Sequence, residues 1–164
     1  MKYTVVRDTR EHEGEGWIWK PSQYCIGTVT DTLHTGDYSL RGYEMMLAIE
    51  RKGGIGEWAQ NINQERIERE LERMEKIRFP FFLLEFTMAD IMNYPIGSDI
   101  PRKLWPKLRF KGSYMMKRTI EFMMCYKTRF IFCGGSGKEI ASSIFKRTIE
   151  IIEDVKDISA AKPE

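Results

Sequence analysis

Two short apolar runs limit the fold of this chain more than any other feature of its sequence. Residues 45–50 (MMLAIE) and 81–86 (FFLLEF) are almost continuously apolar and too short for a buried helix, which favours strands covered on both faces. Between them, residues 66–77 carry apolar side chains three or four positions apart on a charged surface, as amphipathic helices do. This order of elements indicates an α/β fold, with a sheet flanked by helices.

The remaining elements follow from the same patterns. Short β-type runs predict further strands at residues 3–7, 24–30, 38–41 and 129–133. Amphipathic spacing predicts helices at residues 113–126 and from residue 136 onward. Glycine and proline predict loops at residues 12–22 and over most of residues 88–107. Because four of the strands lie close together before residue 52, we interpret them as a β-meander, followed by alternating helices and strands in one mixed sheet.

The length of the chain, 164 residues, suits one domain with a sizeable core. We assign residues 1–156 to this domain and residues 157–164 to a polar C-terminal tail. No apolar run approaches the roughly 20 residues that cross a bilayer, and the first residues lack a secretory signal. Three cysteines without metal-ligand spacing favour reduced thiols. We therefore expect a protein that is cytoplasmic or nucleoid-associated, nuclear in a eukaryote, not secreted, and without a membrane partner.

Positive charge is concentrated in one segment of a nearly balanced chain, whose formal net charge is +2. The segment contains Arg102, Lys103, Lys107, Arg109 and Lys111. Two aromatic residues, Trp105 and Phe110, lie among these cations. Such a segment can follow a phosphate backbone and stack on an unpaired base, or it can be a solvated loop whose rings reach the core. The sequence leaves both interpretations open.

Three polar residues, Asp37, Glu50 and Lys52, are candidates for catalysis. Residues two apart in a strand share a face, so Glu50 and Lys52 are expected to project together, with Arg51 on the other side. Asp37 follows Gly36 in a turn that leads into the neighbouring strand. Two carboxylates suit a hard cation such as magnesium, and a nearby ammonium can orient water or stabilise developing charge. The pattern fits metal-dependent phosphodiester hydrolysis, and a solvated strand end is the alternative.

Other candidate sites are weaker. Residues 134–138 (GGSGK) resemble a phosphate-binding loop, but Phe132 and Glu139 stand where that motif requires glycine and serine or threonine. We interpret this segment as a strand-to-helix turn. The two histidines, His12 and His34, are interpreted as surface residues, which leaves little for imidazole-based catalysis.

Three segments resemble the nuclease domain of the XPF/Mus family of structure-selective endonucleases: residues 5–11 (VVRDTRE), 36–40 (GDYSL) and 48–52 (AIERK). The family shows V-D-x-R-E, G-D-Y and E-R-K in the same order. A weaker likeness at residues 65–70 (ERIERE) and 79–86 (FPFFLLEF) extends the resemblance from residue 3 to about residue 155. The resemblance implies a restriction-endonuclease-like core.

The resemblance also implies roles for individual residues. The residues implied to be catalytic are Asp8, Glu11, Asp37, Glu50, Arg51 and Lys52. The residues implied to bind a metal ion, Mg²⁺ or Mn²⁺, are Asp8, Asp37 and Glu50. The residues expected to contact DNA, including the basic segment, are Arg10, Arg66, Arg102, Lys103, Lys107, Arg109 and Lys111.

The sequence departs from the family in two places near the site. The family has an acid four residues after the lysine of E-R-K, where this chain has Gly56 and places Glu57 one position later. The glycine that precedes the arginine equivalent to Arg66 is replaced by Glu65. The tandem helix-hairpin-helix modules of the family do not fit beside this domain in 164 residues, so we expect a stand-alone form.

We therefore expect a Mg²⁺-dependent DNA endonuclease that acts on branched, flapped or single-strand-containing DNA in repair or recombination. A catalytically silent DNA-binding or dimer-partner subunit of the same fold is the alternative, against which the intact acids argue. A hydrolase of RNA or nucleotides that uses the same core is a third possibility. The last helix leaves open whether the chain is a homodimer or a monomer.

Overall fold

A six-stranded sheet with helices on both faces forms the centre of the computed structural model, which describes residues 2–11, 14 and 16–160, with side chains as far as Asp154. The strands are β1 (Tyr3–Asp8), β2 (Cys25–Asp31), β3 (Tyr38–Leu40), β4 (Leu47–Lys52), β5 (Phe79–Leu84) and β6 (Arg129–Phe132). The helices are α1 (Ile55–Asn61), α2 (Glu65–Met74), α3 (Met88–Met92), α4 (Gly112–Cys125) and α5 (Gly137–Ala160). Two 3-10 turns occupy Arg102–Lys107 and Gly134–Ser136.

The order of strands across the sheet is β2-β1-β3-β4-β5-β6. β4, β5 and β6 run parallel to one another, and β3 is antiparallel to both β1 and β4. The predicted β-meander is wrong, because β2 pairs in parallel with β1 at the outer edge of the sheet. A parallel partner requires a crossover connection of a dozen or more residues, and residues 9–24 supply one. The mixed α/β sheet itself is confirmed.

The predicted strands and the three longer helices are present, with shifted ends. The helix expected over residues 66–77 ends earlier, because α2 stops at Met74, and β5 begins at Phe79. Two short helices were not predicted. α1 begins directly after Gly54, and α3 lies in the segment expected to be loop, where Thr87 and Asp90 form a reciprocal cap. The segment at residues 134–136 is a strand-to-helix turn, as predicted.

The core has two parts, one on each face of the sheet. On one face Trp58 of α1 lies with Phe82 of β5 and Phe122 of α4. On the other face Tyr38 of β3 lies with Phe145 of α5. Along α5 the residues on the side that faces the sheet are buried or half-buried: Ala141, Ile144, Phe145, Thr148, Ile151 and Ile152. The end of the predicted tail lies outside the described residues.

None of the helices in the described part of the chain combines the length and the apolar character that crossing a membrane requires. α5 continues through residues 157–160, the first half of the segment predicted to be a tail.

Trp58 is the residue through which we test this core. It is fully buried, and its indole Nε1 donates a hydrogen bond of 3.1 Å to Thr119 Oγ1. We expect Trp58→Ala to lower the free energy of unfolding by roughly 3–5 kcal/mol, because it leaves a cavity and removes the hydrogen bond that Thr119 Oγ1 accepts. Guanidinium denaturation measures the change. Ile18→Ala, at a residue that is 61% exposed, is the control and should stay within about 0.5 kcal/mol of the unmodified protein. A comparable loss in both variants would contradict this account of the core.

Candidate active site

A cavity of about 500 Å³ opens where β4 ends. The residues that line it are Arg10, Glu11, Gly36, Asp37, Glu50, Arg51, Lys52, Glu57, Arg66 and Glu70. Its walls therefore come from the residues that follow β1, the turn before β3, the end of β4, the first turn of α1 and the first two turns of α2. The carboxyl end of strands in an α/β sheet is where ligands usually bind.

The turn that carries Asp37 is fastened to β4 by hydrogen bonds. Asp37 N donates to Ile49 O at 2.8 Å, and Asp37 Oδ2 accepts from Arg51 N at 2.7 Å. Gly36 has a φ of +77°, and a Cβ at this position would lie 3.0 Å from Ile49 O. Glycine is therefore required at residue 36, both for the backbone conformation and for the close approach that brings Asp37 beside β4.

Glu50 and Lys52 project to the same side of β4, as strand alternation predicts. Lys52 Nζ lies 2.6 Å from Glu50 Oε1, and both residues are buried. Arg51 has different partners: its Nε donates to Glu85 Oε2 at 2.6 Å, and its Nη1 lies 3.2 Å from Glu11 Oε1. Arg51 thus joins Glu11 to the site through an ion pair.

The pKa values in the cavity reflect burial and crowded negative charge. Burial raises the pKa of the Asp37 carboxyl well above its ordinary value, and the charge of Glu50 raises it further. Burial also raises the pKa of Glu50, although Lys52 opposes the shift. Burial alone would lower the pKa of Lys52, but attraction to Glu50 outweighs it and the pKa is raised. The cavity therefore favours an additional cation beside the two carboxylates.

Glu57 joins the site although it stands one position later than the family pattern. Its Oε1 lies 3.5 Å from Lys52 Nζ, and its Oε2 accepts a hydrogen bond of 2.8 Å from Gly53 N. The reason is that α1 begins at Ile55, so the first helical turn directs Glu57 back toward the end of β4. The sequence left open whether Glu57 belongs to the site. Because α1 begins at Ile55, Glu57 lies in the cavity.

Asp8 is not among the residues that line the cavity, unlike the other predicted catalytic residues. Asp8 Oδ1 accepts bonds from Arg10 Nε at 2.6 Å and Arg10 N at 2.8 Å, and Oδ2 accepts from Leu33 N at 2.7 Å. Burial would raise the pKa of Asp8, but these hydrogen bonds outweigh it and lower the pKa. In this arrangement Asp8 holds Arg10 and the start of the 33–37 turn in place.

Two carboxylates near the site were not identified from the sequence. Glu70 lines the cavity from α2, and its Oε1 accepts a bond of 2.7 Å from Thr35 Oγ1. Glu85 binds both Arg51 and the indole Nε1 of Trp17. Glu85 is the one charged residue in the run FFLLEF, which could have marked it as functional. Glu70 is one of many charges on α2, and nothing in the pattern separates it from them.

The residues expected to contact DNA occupy two places. Arg10 and Arg66 line the cavity, and Arg10 is paired with Asp8. The cations of the basic segment are exposed on and after the 3-10 turn at Arg102–Lys107. Their aromatic neighbours are half-buried: Trp105 lies under the guanidinium of Arg102, and Phe110 under that of Arg109.

His34 is exposed, as predicted, and it is not among the residues that line the cavity. His12 lies outside the described residues.

The donor chemistry of the cavity fits a hard divalent cation. Asp37 and Glu50 offer carboxylate oxygens, which Mg²⁺ prefers, and Mg²⁺ usually keeps several waters beside one or two carboxylates. The described residues contain no group of three or more acidic, histidine or cysteine side chains arranged to hold a metal by themselves. If a divalent ion binds in this cavity, Asp37 and Glu50 are the residues whose oxygens would hold it.

The raised pKa of Asp37 leads to a prediction about stability. A folded-state pKa above the ordinary value of 3.8 means that the folded protein binds the proton more tightly than the unfolded chain does, so stability falls as pH rises between the two values. Asp37→Asn removes this penalty and keeps an oxygen that can accept from Arg51 N. Without divalent metal we expect a higher Tm than that of the unmodified protein near pH 8, with a difference that shrinks toward pH 4.

Thermal unfolding followed by fluorescence from pH 4 to 8 measures this difference. Glu72→Gln, at an exposed acid of α2, is the matched control and should change Tm little at any pH. A Tm gain for Asp37→Asn that does not depend on pH would contradict the assignment to a buried charge.

Comparison with known proteins agrees with this fold. The structure of XPF from Aeropyrum pernix matches with a TM-score of 0.61 and 16% sequence identity, over 94% of this chain and 69% of that chain. A structure described as XPF from Aeropyrum pernix in complex with DNA matches with a TM-score of 0.59 and 14% identity, over 91% and 66% of the two chains. This chain thus spans about two thirds of those chains. None of the curated protein sequences matches it.

The sequence pattern of the ERCC4 domain matches residues 7–137, which include every residue that lines the cavity. The expected XPF-type nuclease domain, with its restriction-endonuclease-like α/β core, is confirmed by this match and by the structural likeness. The chain belongs to the ERCC4 domain family.

Proposed function

We propose that this protein is a metal-dependent DNA endonuclease that hydrolyses phosphodiester bonds in branched, flapped or partly single-stranded DNA. The observation that carries the proposal is the cavity at the end of β4, where Asp37 and Glu50 both have raised pKa values beside the ammonium of Lys52. Membership of the ERCC4 domain family supports nuclease chemistry at this place. Repair or recombination of DNA is the corresponding biological role.

Asp37 and Glu50 are the residues proposed to hold Mg²⁺ or Mn²⁺. When bound, such an ion acidifies a coordinated water and offsets charge on the phosphodiester. The hydrogen bond from Arg51 N to Oδ2 positions Asp37 for this role. The other carboxylate oxygen, Oδ1, does not accept this bond. The role of Asp8 as a third ligand stays a prediction, and it requires Asp8 to release Arg10 or Leu33.

Lys52 is proposed to act as a fixed positive charge. Although burial opposes the shift, attraction to Glu50 raises the pKa of Lys52, which favours the protonated ammonium at neutral pH. Glu50 and Glu57 hold it at 2.6 Å and 3.5 Å, respectively. A protonated amine in this position can orient the attacking water and stabilise charge that develops on the phosphate.

Arg51 and Glu11 are proposed to support the site from its other side. Arg51 is bound by both Glu11 and Glu85, so its charge is largely compensated within the protein. It therefore shapes the end of β4 and positions Glu11. Direct contact with a phosphate would require Arg51 to release one of these acids.

DNA is the proposed partner because basic residues lie both in the cavity and in an exposed segment elsewhere on the surface. Arg66 lines the cavity from α2, and the basic segment presents exposed cations beside half-buried rings. One of the two similar XPF structures contains DNA. These features together favour contacts with the phosphate backbone over recognition of base sequence.

A catalytically silent DNA-binding or dimer-partner subunit remains the second candidate. The sequestered carboxylate of Asp8 is the observation that favours it. A homodimer also stays a prediction. The surface available for it includes an apolar groove of about 320 Å³ between α5 and β5, lined by Phe79, Phe81, Ile140 and Ile144, among others.

The nuclease proposal predicts metal-dependent cleavage. We expect the purified protein to cut labelled flap, fork, four-way-junction or single-stranded DNA with Mg²⁺ and not with EDTA. Asp37→Asn and Lys52→Ala should each lower kcat by roughly 10²–10³-fold, since each removes charge stabilisation from the transition state. Duplex and RNA substrates in the same assay test the proposed substrate class.

Glu72→Gln and Lys76→Ala are the matched controls, because both residues are exposed and neither lines the cavity. Binding without metal-dependent cutting of any substrate would favour the silent subunit. Cutting that survives both Asp37→Asn and Lys52→Ala would exclude this cavity as the active site.

The basic segment predicts a specific salt dependence of DNA binding. Replacing Arg102, Lys103 and Lys107 together by alanine should weaken binding and reduce the slope of log K against log salt. Each lost phosphate contact should reduce this slope by about 0.9 for duplex DNA and about 0.7 for single strands. The control replaces Lys138, Lys146 and Arg147 of α5 by alanine, which removes the same charge. Equal losses in both triple variants would show a general charge effect and not a DNA contact of the basic segment.

A further inference from the structure

Two aromatic rings stack on one another at the start of α4, outside the core. The rings of Phe110 and Tyr114, called here the ring pair, have centroids 5.0 Å apart and planes inclined by 15°. Phe110 is half-buried and Tyr114 is 37% exposed. Neither is among the described residues that form or pack against the two parts of the core. The ring pair therefore keeps aromatic surface in contact with solvent.

The ring pair is fixed by contacts with two other parts of the chain. The guanidinium of Arg109 lies over the Phe110 ring, 5.3 Å from its centroid. The hydroxyl of Tyr114 donates a hydrogen bond of 2.7 Å to Asn63 Oδ1, in the connection between α1 and α2. Because Phe110 covers one face of Tyr114 and Asn63 binds its hydroxyl, the exposed surface of Tyr114 is expected to be its second face.

Helix capping explains only part of this arrangement. An apolar residue before the N-cap of a helix often packs on the first turns, and Phe110 precedes Lys111, the N-cap of α4. Such a contact uses one face of the side chain at residue 114, and an aliphatic side chain could supply it. It accounts neither for an aromatic ring with an exposed face nor for the hydrogen bond to Asn63.

The charges around the ring pair suit a polyanion. Three exposed cations flank it in sequence: Lys107, Arg109 and Lys111. None of these cations forms an ion pair with an acid in the described part of the chain. The first acids of the neighbouring α2, Glu65 and Glu68, are already paired, with Arg69 at 3.2 Å and with Arg118 at 2.8 Å. The uncompensated cations therefore attract phosphates to the ring pair.

The connection between α1 and α2 links the ring pair to the cavity at the end of β4. Asn63, which binds Tyr114, lies three residues before Arg66, and Arg66 lines the cavity. Successive Cα atoms are about 3.8 Å apart, so the Cα atoms of Asn63 and Arg66 are separated by at most about 11 Å. A strand with one phosphate in the cavity can therefore reach Tyr114 within a few nucleotides.

We propose that the exposed face of Tyr114 stacks on one unpaired base of the DNA strand that enters the cavity. This inference rests on the proposed function and adds a base-binding subsite to the phosphate contacts of the basic segment. Within a duplex the faces of a base are covered by its neighbours, so the subsite takes a base from a single-stranded part of the substrate. Every base has a π-face, so the subsite selects unpaired DNA and not a particular sequence.

Replacing the ring by an aliphatic side chain tests the subsite. Tyr114→Leu keeps an apolar contact with Phe110 and removes the aromatic face, whereas Tyr114→Phe keeps the face and removes only the hydrogen bond to Asn63. Tyr114→Leu should weaken metal-free binding of flap and single-stranded DNA by roughly 5–150-fold, as the loss of one base–aromatic stack does. Binding of intact duplex should not change. The slope of log K against log salt should also stay the same, because stacking releases no counterions.

A fluorescent base analogue locates the stacked nucleotide. 2-Aminopurine, whose emission falls when it stacks, is placed at successive positions of the single-stranded flap. We expect a fall at one position with the unmodified protein and with Tyr114→Phe, and none there with Tyr114→Leu. Tyr24→Leu is the matched control, because Tyr24 is 44% exposed, lies 4.6 Å from Lys146 Nζ and does not line the cavity. Its affinity for DNA should be that of the unmodified protein, and Tm is measured for every variant.

Equal affinities of Tyr114→Leu and the unmodified protein for single-stranded DNA would overturn the subsite, and metal-dependent cutting would still support the nuclease proposal. A loss of affinity that is equally large for intact duplex would also overturn the subsite. If the unmodified protein binds DNA without cutting it, the nuclease proposal fails. A loss in Tyr114→Leu that Tyr114→Phe does not show then still supports the subsite.

Discussion

The β3–β4 hairpin is the constraint on which the site depends, because it places two carboxylates side by side away from bulk water. Asp37 N donates a hydrogen bond to Ile49 O of β4. Asp37 Oδ2 accepts a hydrogen bond from Arg51 N, two residues further along the same strand. The same main chain that forms the sheet therefore fixes the separation of Asp37 and Glu50. Burial and neighbouring negative charge raise both pKa values, so holding both carboxylates ionised here costs free energy that a bound cation would offset. Under the proposed function, the feature that serves catalysis is therefore one that lowers stability.

The buried charges on the two sides of β4 are compensated in different ways. On the side of Glu50, Lys52 is the compensating cation within the described residues, and it leaves room in the cavity for another. On the side of Arg51, the acids Glu11 and Glu85 already compensate the guanidinium. Strand alternation thus separates an open charge cluster, suited to chemistry, from a closed one, suited to support.

The sequence predicted correctly the features that depend on local periodicity. It did not predict the features that depend on which distant segments pair. Alternation in β4 placed Glu50 with Lys52 correctly, because the rule needs only neighbouring residues. The partner of β2 depends on how residues 9–24 return to the sheet, which no local pattern encodes. Glu70 was missed for the same reason: the contact with Thr35 that places it beside the cavity joins residues 35 positions apart.

The position of Glu57 shows how a departure in sequence can preserve an arrangement in space. The chain leaves β4 at Lys52 and enters α1 at Ile55, and the first turn of α1 then returns Glu57 to Lys52. With the family spacing, an acid would stand at residue 56, which is glycine in this chain. Moving the acid by one position therefore keeps a carboxylate beside Lys52, because the helix begins early enough to direct Glu57 back toward the end of β4.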